Sequence, residues 1–172
     1  MTHLDEAYWN DAHDTYRSTM ARLGRKRLVV SAVIYSENKV LLVRRSPHDS
    51  YPGMWEFPGG GVDDEIDEEQ GESVVDALRR EVVEETGIVL PVFPSGEVLV
   101  HPTRTALRVV LRFDLESIPG VILSDEHDEG RFLSLEEAKV TLVGNDIVHD
   151  TMRRENQRVM NMIFDNNMGM DP

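Results

Sequence analysis

Three glutamates and an arginine stand close together between Arg80 and Ile88. An α-helix turns by about 100° per residue, so Glu84 and Glu85 project near Glu81, which lies one turn earlier. Like charges at this spacing repel one another and weaken a plain helix. Carboxylate oxygens are also the ligands that Mg²⁺ prefers in proteins. The spacing therefore favours a divalent-metal site on one helix face, and the alternative is an acidic face that is merely solvated.

The elements that must position these glutamates are indicated by the flanking residues. Ser73 predicts an N-cap, in a capping box with Asp76, and Gly87 predicts a left-handed residue at the C-terminal end. Apolar residues recur between them at helical spacing, at Val75, Leu78 and Val82. We therefore expect a helix from about Val74 to Thr86, lying on a core by its apolar stripe.

A glycine-rich segment precedes this helix. The run from Met54 to Gly61 reads Met-Trp-Glu-Phe-Pro-Gly-Gly-Gly. Glycines allow backbone to come close to a ligand or to adopt a positive φ. A glycine run alone is more often a simple loop, but its position before the carboxylate helix favours one shared site.

Together these residues resemble the signature of the Nudix hydrolase family. The second half of that signature is a glutamate, seven residues, then Arg-Glu-apolar-any-Glu-Glu-any-Gly-apolar, and the chain fits it throughout from Glu72 to Ile88. The first half departs, because Ile66 stands where the family has a glycine. The family's Gly-Gly pair aligns with Gly59-Gly60, followed by an insertion within residues 63–70. The resemblance covers roughly residues 28–140.

Six of the eight residues in this insertion are acidic. One interpretation is a solvated loop beside the site. The other is a charged segment that repels some anionic substrates or recruits additional cations.

The resemblance implies hydrolysis of a diphosphate linkage with Mg²⁺ or Mn²⁺ as the cofactor. Glu81 is the first choice of general base, Arg80 would orient a glutamate through a charge-assisted bond, and Glu72 would anchor the loop. The implied metal ligands are Glu81, Glu84, Glu85, the carbonyl of Gly60 and, from a later acidic loop, Glu126. That loop, Ser124–Glu129, is predicted to precede a short strand at Arg131–Leu133. A plain acidic loop is the alternative for Glu126, and His127 is interpreted as a loop residue.

Four further residues are candidates for substrate contact. Arg44 and Arg45 end a predicted strand near the site, and Arg45 is the first choice for a phosphate contact, against two solvated arginines. Trp55 and Phe57 could stack on a base or pack in the core, and the core is favoured for Phe57.

The composition limits the possible functions. A net charge of −14 opposes binding to nucleic-acid backbones. The longest apolar stretch, Leu28 to Tyr35, is eight residues and too short to span a membrane. There is no cysteine for disulfides or thiolate zinc sites. We see no signal peptide and expect a cytoplasmic protein.

Periodicity predicts the remaining elements. Residues 4–23 and 145–164 are predicted to be helices, and the first could pack on the domain or form a homodimer contact. Strands are predicted at 28–35, 40–44, 98–101 and 106–114, and Ser134 with Glu137 predicts a capping box. We therefore expect a helical extension over 1–24 and a single domain over 25–172, with an α+β fold. The resemblance implies an α/β/α sandwich with a mixed sheet.

The substrate expected from the resemblance is a small nucleotide. The Trp55–Gly60 run is similar to the MutT branch, so a nucleoside triphosphate is the first candidate. The alternative is an ADP-ribose or nucleotide-sugar pyrophosphatase, for which Pro102, 14 residues after Ile88, is suggestive. A non-catalytic nucleotide-sugar sensor is a further alternative, although such proteins usually lose the glutamates that this chain retains.

Overall fold

The computed structural model describes residues 6–63, 71–144 and 150–168. Within these ranges the chain forms four helices and six strands. In chain order they are α1 (Glu6–Arg22), β1 (Arg27–Ser36), β2 (Lys39–Arg45), β3 (Trp55–Glu56), α2 (Val74–Thr86), β4 (Gly96–Pro102), β5 (Ala106–Asp114), β6 (His127–Ser134), α3 (Leu135–Val143) and α4 (Asp150–Met168).

The strands form a mixed sheet in the order β3-β2-β1-β5-β4, with β6 paired to β2. The β1–β5 pair is parallel, from Arg27 opposite Ala106 to Tyr35 opposite Asp114, and the other pairs are antiparallel. Glu37 and Asn38 close the β1–β2 hairpin with positive φ values of 50° and 60°. This left-handed geometry matches the twist of the flanking strands.

β1 and β2 pair only beside their hairpin. Further from the hairpin, the glycine-rich segment lies along β1 in place of β2. Gly60 accepts a 2.9 Å hydrogen bond from the Val30 N–H, and Pro58 accepts one of 2.8 Å from Ala32. Gly59 has a φ of 150°, and a Cβ there would lie 2.1 Å from the Val30 carbonyl oxygen. Only glycine fits at this position, so the segment is held beside the sheet by backbone contacts.

Two apolar cores lie on opposite faces of the sheet. One contains side chains from α1 and α2, and the other contains side chains from α3 and α4. Strand β5 serves both, because Val109 and Leu111 face the first core and Val110 faces the second. The fold is thus the expected α+β sandwich with a mixed sheet between helices.

Helix α1 packs on the first core. Trp9 and Tyr16 are buried there, and the Tyr16 hydroxyl donates a hydrogen bond to Glu97 on β4. None of the helices in the described part of the chain combines the length and apolarity needed to cross a bilayer.

Most predicted elements are confirmed, and three details differ. Residues 127–129 belong to β6, so the prediction of a loop over all of Ser124–Glu129 was wrong. Trp55–Glu56 is a short strand rather than part of a loop. The Ser73 hydroxyl caps α2, but the Asp76 carboxylate binds that hydroxyl instead of completing the capping box. The described C-terminal helix begins at Asp150, and residues 145–149 lie outside the described ranges.

Candidate active site

Helix α2 has well-defined ends and one buried face. The Ser73 hydroxyl accepts a 3.1 Å bond from the Asp76 N–H, and Gly87, with a φ of 68°, donates to the Val83 carbonyl. The face packed on the core carries the predicted stripe, with Val75, Leu78 and Val82 all buried. This packing fixes the rotation of the helix, and therefore the directions in which its three glutamates project.

The guanidinium of Arg80 is the centre of the polar contacts on α2. Its Nε and Nη2 donate to the two carboxylate oxygens of Glu72 at 2.8 and 2.9 Å. Its Nη1 donates to Glu81 at 2.8 Å and to Glu84 at 3.4 Å, and Nη2 also reaches the Gly61 carbonyl at 3.2 Å. We call Glu72, Arg80 and Glu81 the helix network. A planar guanidinium with five N–H groups is suited to this arrangement, and a lysine is not.

Glu72 joins the two ends of the acidic insertion. Its Oε2 accepts a 3.1 Å bond from the Asp63 N–H, while both oxygens bind Arg80. Burial alone would raise the pKa of Glu72, but the bonds from Arg80 and Asp63 lower it below the ordinary value. Glu72 is thus an ionised anchor, and it holds the glycine segment beside α2. Residues 64–70 lie outside the described ranges.

Glu81 faces the glycine segment at close range. A Cβ added to Gly60 would lie 2.4 Å from the Glu81 carboxyl carbon, so the absence of a side chain makes room for this carboxylate. Burial raises the pKa of Glu81; Arg80 opposes the rise, and the charges of Glu84 and Glu126 add to it. The Gly60 carbonyl already accepts the Val30 N–H, which leaves one lone pair of that oxygen for another partner.

Glu85 is the most buried of the three glutamates, at 6% exposure, whereas the side chain of Glu84 is 60% exposed. The Oε2 atom of Glu85 accepts a 2.9 Å hydrogen bond from the Gly59 N–H. Burial raises the pKa of Glu85 to about 8, although His127 and the Gly59 N–H oppose the rise. Without a bound cation, the ionised form of Glu85 is therefore unfavourable near neutral pH.

The segment before β6 packs over the C-terminal end of α2. The Ser124 N–H donates to the Glu85 carbonyl at 3.1 Å, and Ile122 donates to Thr86 at 2.8 Å. Glu126 follows, and its backbone carbonyl accepts a bond from Ser46. The charge of Glu126 adds a small contribution to the raised pKa of Glu81, after burial and Glu84.

A second polar cluster, which we call the strand network, consists of Arg45, Glu56 and His127. Arg45 donates to Glu56 at 2.9 Å, and His127 Nε2 lies 3.3 Å from the same carboxylate oxygen. Burial lowers the pKa of His127, but the bond to Glu56 and the charges of Glu85 and Glu56 outweigh it, so that the pKa lies above its ordinary value. The strand network therefore adjoins Glu85.

The sequence interpretation missed Glu56 and His127. His127 is a buried strand residue rather than the expected loop residue. The only available signal was the position of Glu56 between Trp55 and Phe57, which could place it on the opposite face of a strand.

The predicted substrate residues lie in different surroundings. Arg45 also binds Asp49 at 2.6 Å. Arg44 forms ion pairs with Asp128 and Glu129 and lies 5.7 Å from the centre of the Trp55 ring. Phe57 is buried in the core. Arg44 and Arg45 are thus held by carboxylates, and their role in substrate binding stays a prediction.

The site suits a hard divalent cation by the chemistry of its donors. Three carboxylates project from one helix, with Glu81 beside the space left by Gly60, and burial raises the pKa of Glu81 and of Glu85. No group of three acidic or histidine side chains within residues 6–63, 71–144 and 150–168 converges as a complete ligand set. In this arrangement Arg80 and the Gly59 N–H hold oxygens of Glu81 and Glu85.

Residues 25–154 match the NUDIX domain, and the chain belongs to this family. It is a Nudix hydrolase, as the resemblance indicated, and the family generally uses divalent metal ions.

Known proteins similar to the chain include named pyrophosphatases. The chain is 32% identical over 133 residues to the ADP-ribose pyrophosphatase of Methanocaldococcus jannaschii, covering 75% of each chain. It is 34% identical over 113 residues to the CTP pyrophosphohydrolase of Escherichia coli, covering 64% of this chain and 77% of the relative. The crystal structure of the MutT protein from Methanosarcina mazei Go1 is similar with a TM-score of 0.60 and 27% identity, covering 83% of this chain and 96% of that one.

Proposed function

We propose that the protein hydrolyses a phosphoanhydride bond in a substrate that contains a nucleoside diphosphate, with a nucleoside triphosphate as the first candidate. The observation that carries the proposal is that two glutamates of α2, Glu81 and Glu85, both lie against the glycine segment. Glu85 binds the Gly59 N–H, and Glu81 fills the space beside Gly60. Both contacts join residues from the two halves of the family signature, which supports the proposal.

In this proposal Glu81, Glu84 and Glu85 hold Mg²⁺ or Mn²⁺, with the Gly60 carbonyl and Glu126 as additional ligands. A bound divalent cation supplies charge neutralisation for the phosphates and lowers the pKa of a coordinated water. Glu81 accepts the proton of the attacking water. Burial raises the pKa of Glu81 in the metal-free protein, and a bound cation would oppose that rise, so the assignment of Glu81 as base rests on its position beside Gly60.

Arg80 holds Glu81 in place during this step. Its guanidinium binds one oxygen of Glu81 at 2.8 Å and is itself fixed by both oxygens of Glu72. A base that is held by a rigid neighbour loses little orientational freedom when the reaction begins. Arg80 is thus assigned to positioning and Glu81 to proton transfer.

Two relatives favour different substrates. The CTP pyrophosphohydrolase favours a nucleoside triphosphate, and the ADP-ribose pyrophosphatase favours a diphosphate with organic groups at both ends. We retain the second class as the alternative, because that relative matches over the longer stretch.

A substrate panel with Mg²⁺ or Mn²⁺ tests both candidates. We expect inorganic pyrophosphate and a monophosphate from a nucleoside triphosphate, whereas a nucleotide sugar would give two monophosphates. Glu84→Gln and Glu85→Gln should each remove most of the metal-dependent turnover, because each replaces a charged carboxylate ligand with a neutral amide. Circular dichroism serves as the folding control. Full activity in both variants would contradict the proposed mechanism.

A further inference from the structure

Helix α1 lies outside the residues that match the family, yet it contacts the beginning of α2. The Nδ1 atom of His13 is 3.3 Å from the backbone nitrogen of Val74, the first residue of α2. The Arg17 guanidinium lies against Gly71, where an added Cβ would be 2.6 Å from its Nη2. These two contacts lie on either side of Glu72 in the sequence.

The Val74 N–H is one of the donors that a helix leaves without an internal partner at its N-terminal end. Its residue is fully buried, so water is a poor substitute for a protein acceptor. Ser73 is already committed to the Asp76 N–H, the donor two residues further along. An acceptor supplied by α1 therefore completes the cap of α2.

The His13 ring can accept only one hydrogen bond when neutral, because one of its two nitrogens carries a proton. Nδ1 faces the Val74 N–H, and Nε2 lies 2.9 Å from the Arg17 Nε. The Val74 donor is fixed in the backbone, whereas the Arg17 guanidinium ends a flexible side chain. With Nδ1 as the acceptor, the Arg17 guanidinium has to turn its Nε–H away from the protonated Nε2, although that contact is the shorter of the two.

The position of the first turn of α2 is transmitted to the candidate base. Glu72 lies two residues before Val74, and its carboxylate binds Arg80 through both oxygens. Arg80 in turn donates to Glu81 at 2.8 Å. A shift at the start of α2 would therefore loosen the contact that orients Glu81.

We propose that His13 is a positioning residue of the active centre. By accepting the Val74 N–H, it fixes the start of α2 and thereby the line of contacts from Glu72 through Arg80 to Glu81. Helix α1 therefore contributes to the positioning of Glu81 as well as to the stability of the fold. The expected effect of His13 on kcat rests on the proposed function, whereas its effect on the Val74 amide and the start of α2 does not.

Variants of His13 separate this role from general stability. In His13→Asn the amide oxygen can replace Nδ1 as the acceptor, in His13→Gln the amide lies nearer the place of Nε2, and His13→Leu offers no acceptor. Tyr16→Phe is the matched control, since it removes a bond from α1 to Glu97 on β4 and leaves the His13 contact intact. All four variants are compared well below their melting temperatures.

We expect kcat to fall about tenfold in His13→Leu with KM unchanged, as for other outer contacts that orient a reactive group. His13→Asn should retain the wild-type kcat, His13→Gln should resemble His13→Leu, and Tyr16→Phe should lower Tm without changing kcat. Hydrogen exchange at the Val74 amide should accelerate in His13→Leu and not in Tyr16→Phe.

Wild-type kcat together with wild-type Val74 exchange in His13→Leu would overturn the proposal. If His13→Leu does not fold, equal effects of His13→Asn and His13→Gln would overturn it instead. The exchange measurement needs no substrate, so it decides the role of His13 even if the wild-type protein hydrolyses nothing in the panel.

Discussion

The helix network and the strand network adjoin different glutamates of α2 and are assembled from the chain in different ways. All three members of the helix network, Glu72, Arg80 and Glu81, lie within ten residues of one another. Arg45, Glu56 and His127 of the strand network come from β2, β3 and β6. In the helix network, the permanently charged Arg80 binds Glu81 directly. The strand network surrounds Glu85 with another carboxylate and a titratable histidine.

This difference separates two tasks. The forked contacts of Arg80 fix the direction of a carboxylate, so the helix network controls geometry. Burial raises the pKa of Glu85 most strongly, and the charges of His127 and Glu56 modify it in opposite directions, so the strand network adjusts the charge of Glu85. Three predictions test this division.

The largest of these three effects is expected from Arg80→Lys. A lysine cannot bind both oxygens of Glu72 and also reach Glu81, because it lacks the planar fork. We expect kcat to fall by about 10- to 100-fold with KM nearly unchanged, as measured by steady-state kinetics. The matched control is Arg79→Lys, whose described ion pair with Asp76 is 3.9 Å long and should have little influence. Equal losses of kcat in Arg80→Lys and Arg79→Lys would show that the forked contacts of Arg80 do not orient Glu81.

A smaller effect is expected from Glu56→Gln. This change removes a charge that raises the pKa of His127 while the opposing effect of burial remains, so the pKa of His127 should fall. Because Arg80 and Glu81 are untouched, kcat should fall by less than about tenfold. NMR titration of His127, assigned with a His127→Gln variant, measures the shift. An unchanged titration would show that Glu56 does not set the charge in this region.

The smallest of the three effects concerns the stability of the metal-free protein, in the Glu85→Gln variant already expected to lose turnover. Burial raises the pKa of Glu85 from its ordinary 4.5 to about 8. The folded protein therefore binds this proton more tightly than the unfolded chain, and its stabilising contribution is lost as pH rises from about 4.5 through 8. A neutral glutamine avoids the loss.

The melting temperature of Glu85→Gln, measured in a chelator, should therefore exceed that of the wild type by an amount that grows between pH 5 and pH 8 and then levels off. Glu84→Gln is the control, since Glu84 is exposed. A gap between wild type and Glu85→Gln that stays constant over this range would contradict the assigned pKa shift.

The helix network could be predicted from the sequence because its signals are local. Ser73 and Gly87 mark the ends of α2, and the spacing of the glutamates follows from the helical repeat. The strand β5 was likewise predicted with its observed bounds, Ala106–Asp114, because its apolar residues are continuous enough to be recognised.

The strand network could not be predicted, because it depends on which strands pair. β3 has only two residues, too few to show a period. Residues 127–129 of β6 are polar or acidic, which argues against a strand by composition. In the fold, Glu129 pairs with Arg44 and His127 with Arg45 across the sheet, and such cross-strand partners outweigh propensity.

The bond between Asp63 and Glu72 has a consequence for how this chain tolerates change. It holds the residues on either side of positions 64–71 within hydrogen-bonding distance of each other. The entropy of closing such a loop grows only logarithmically, by about 0.6 kcal/mol for each doubling of length. Sequence can therefore be added between these residues at little thermodynamic cost, which makes this a natural place to graft a peptide or a reporter domain.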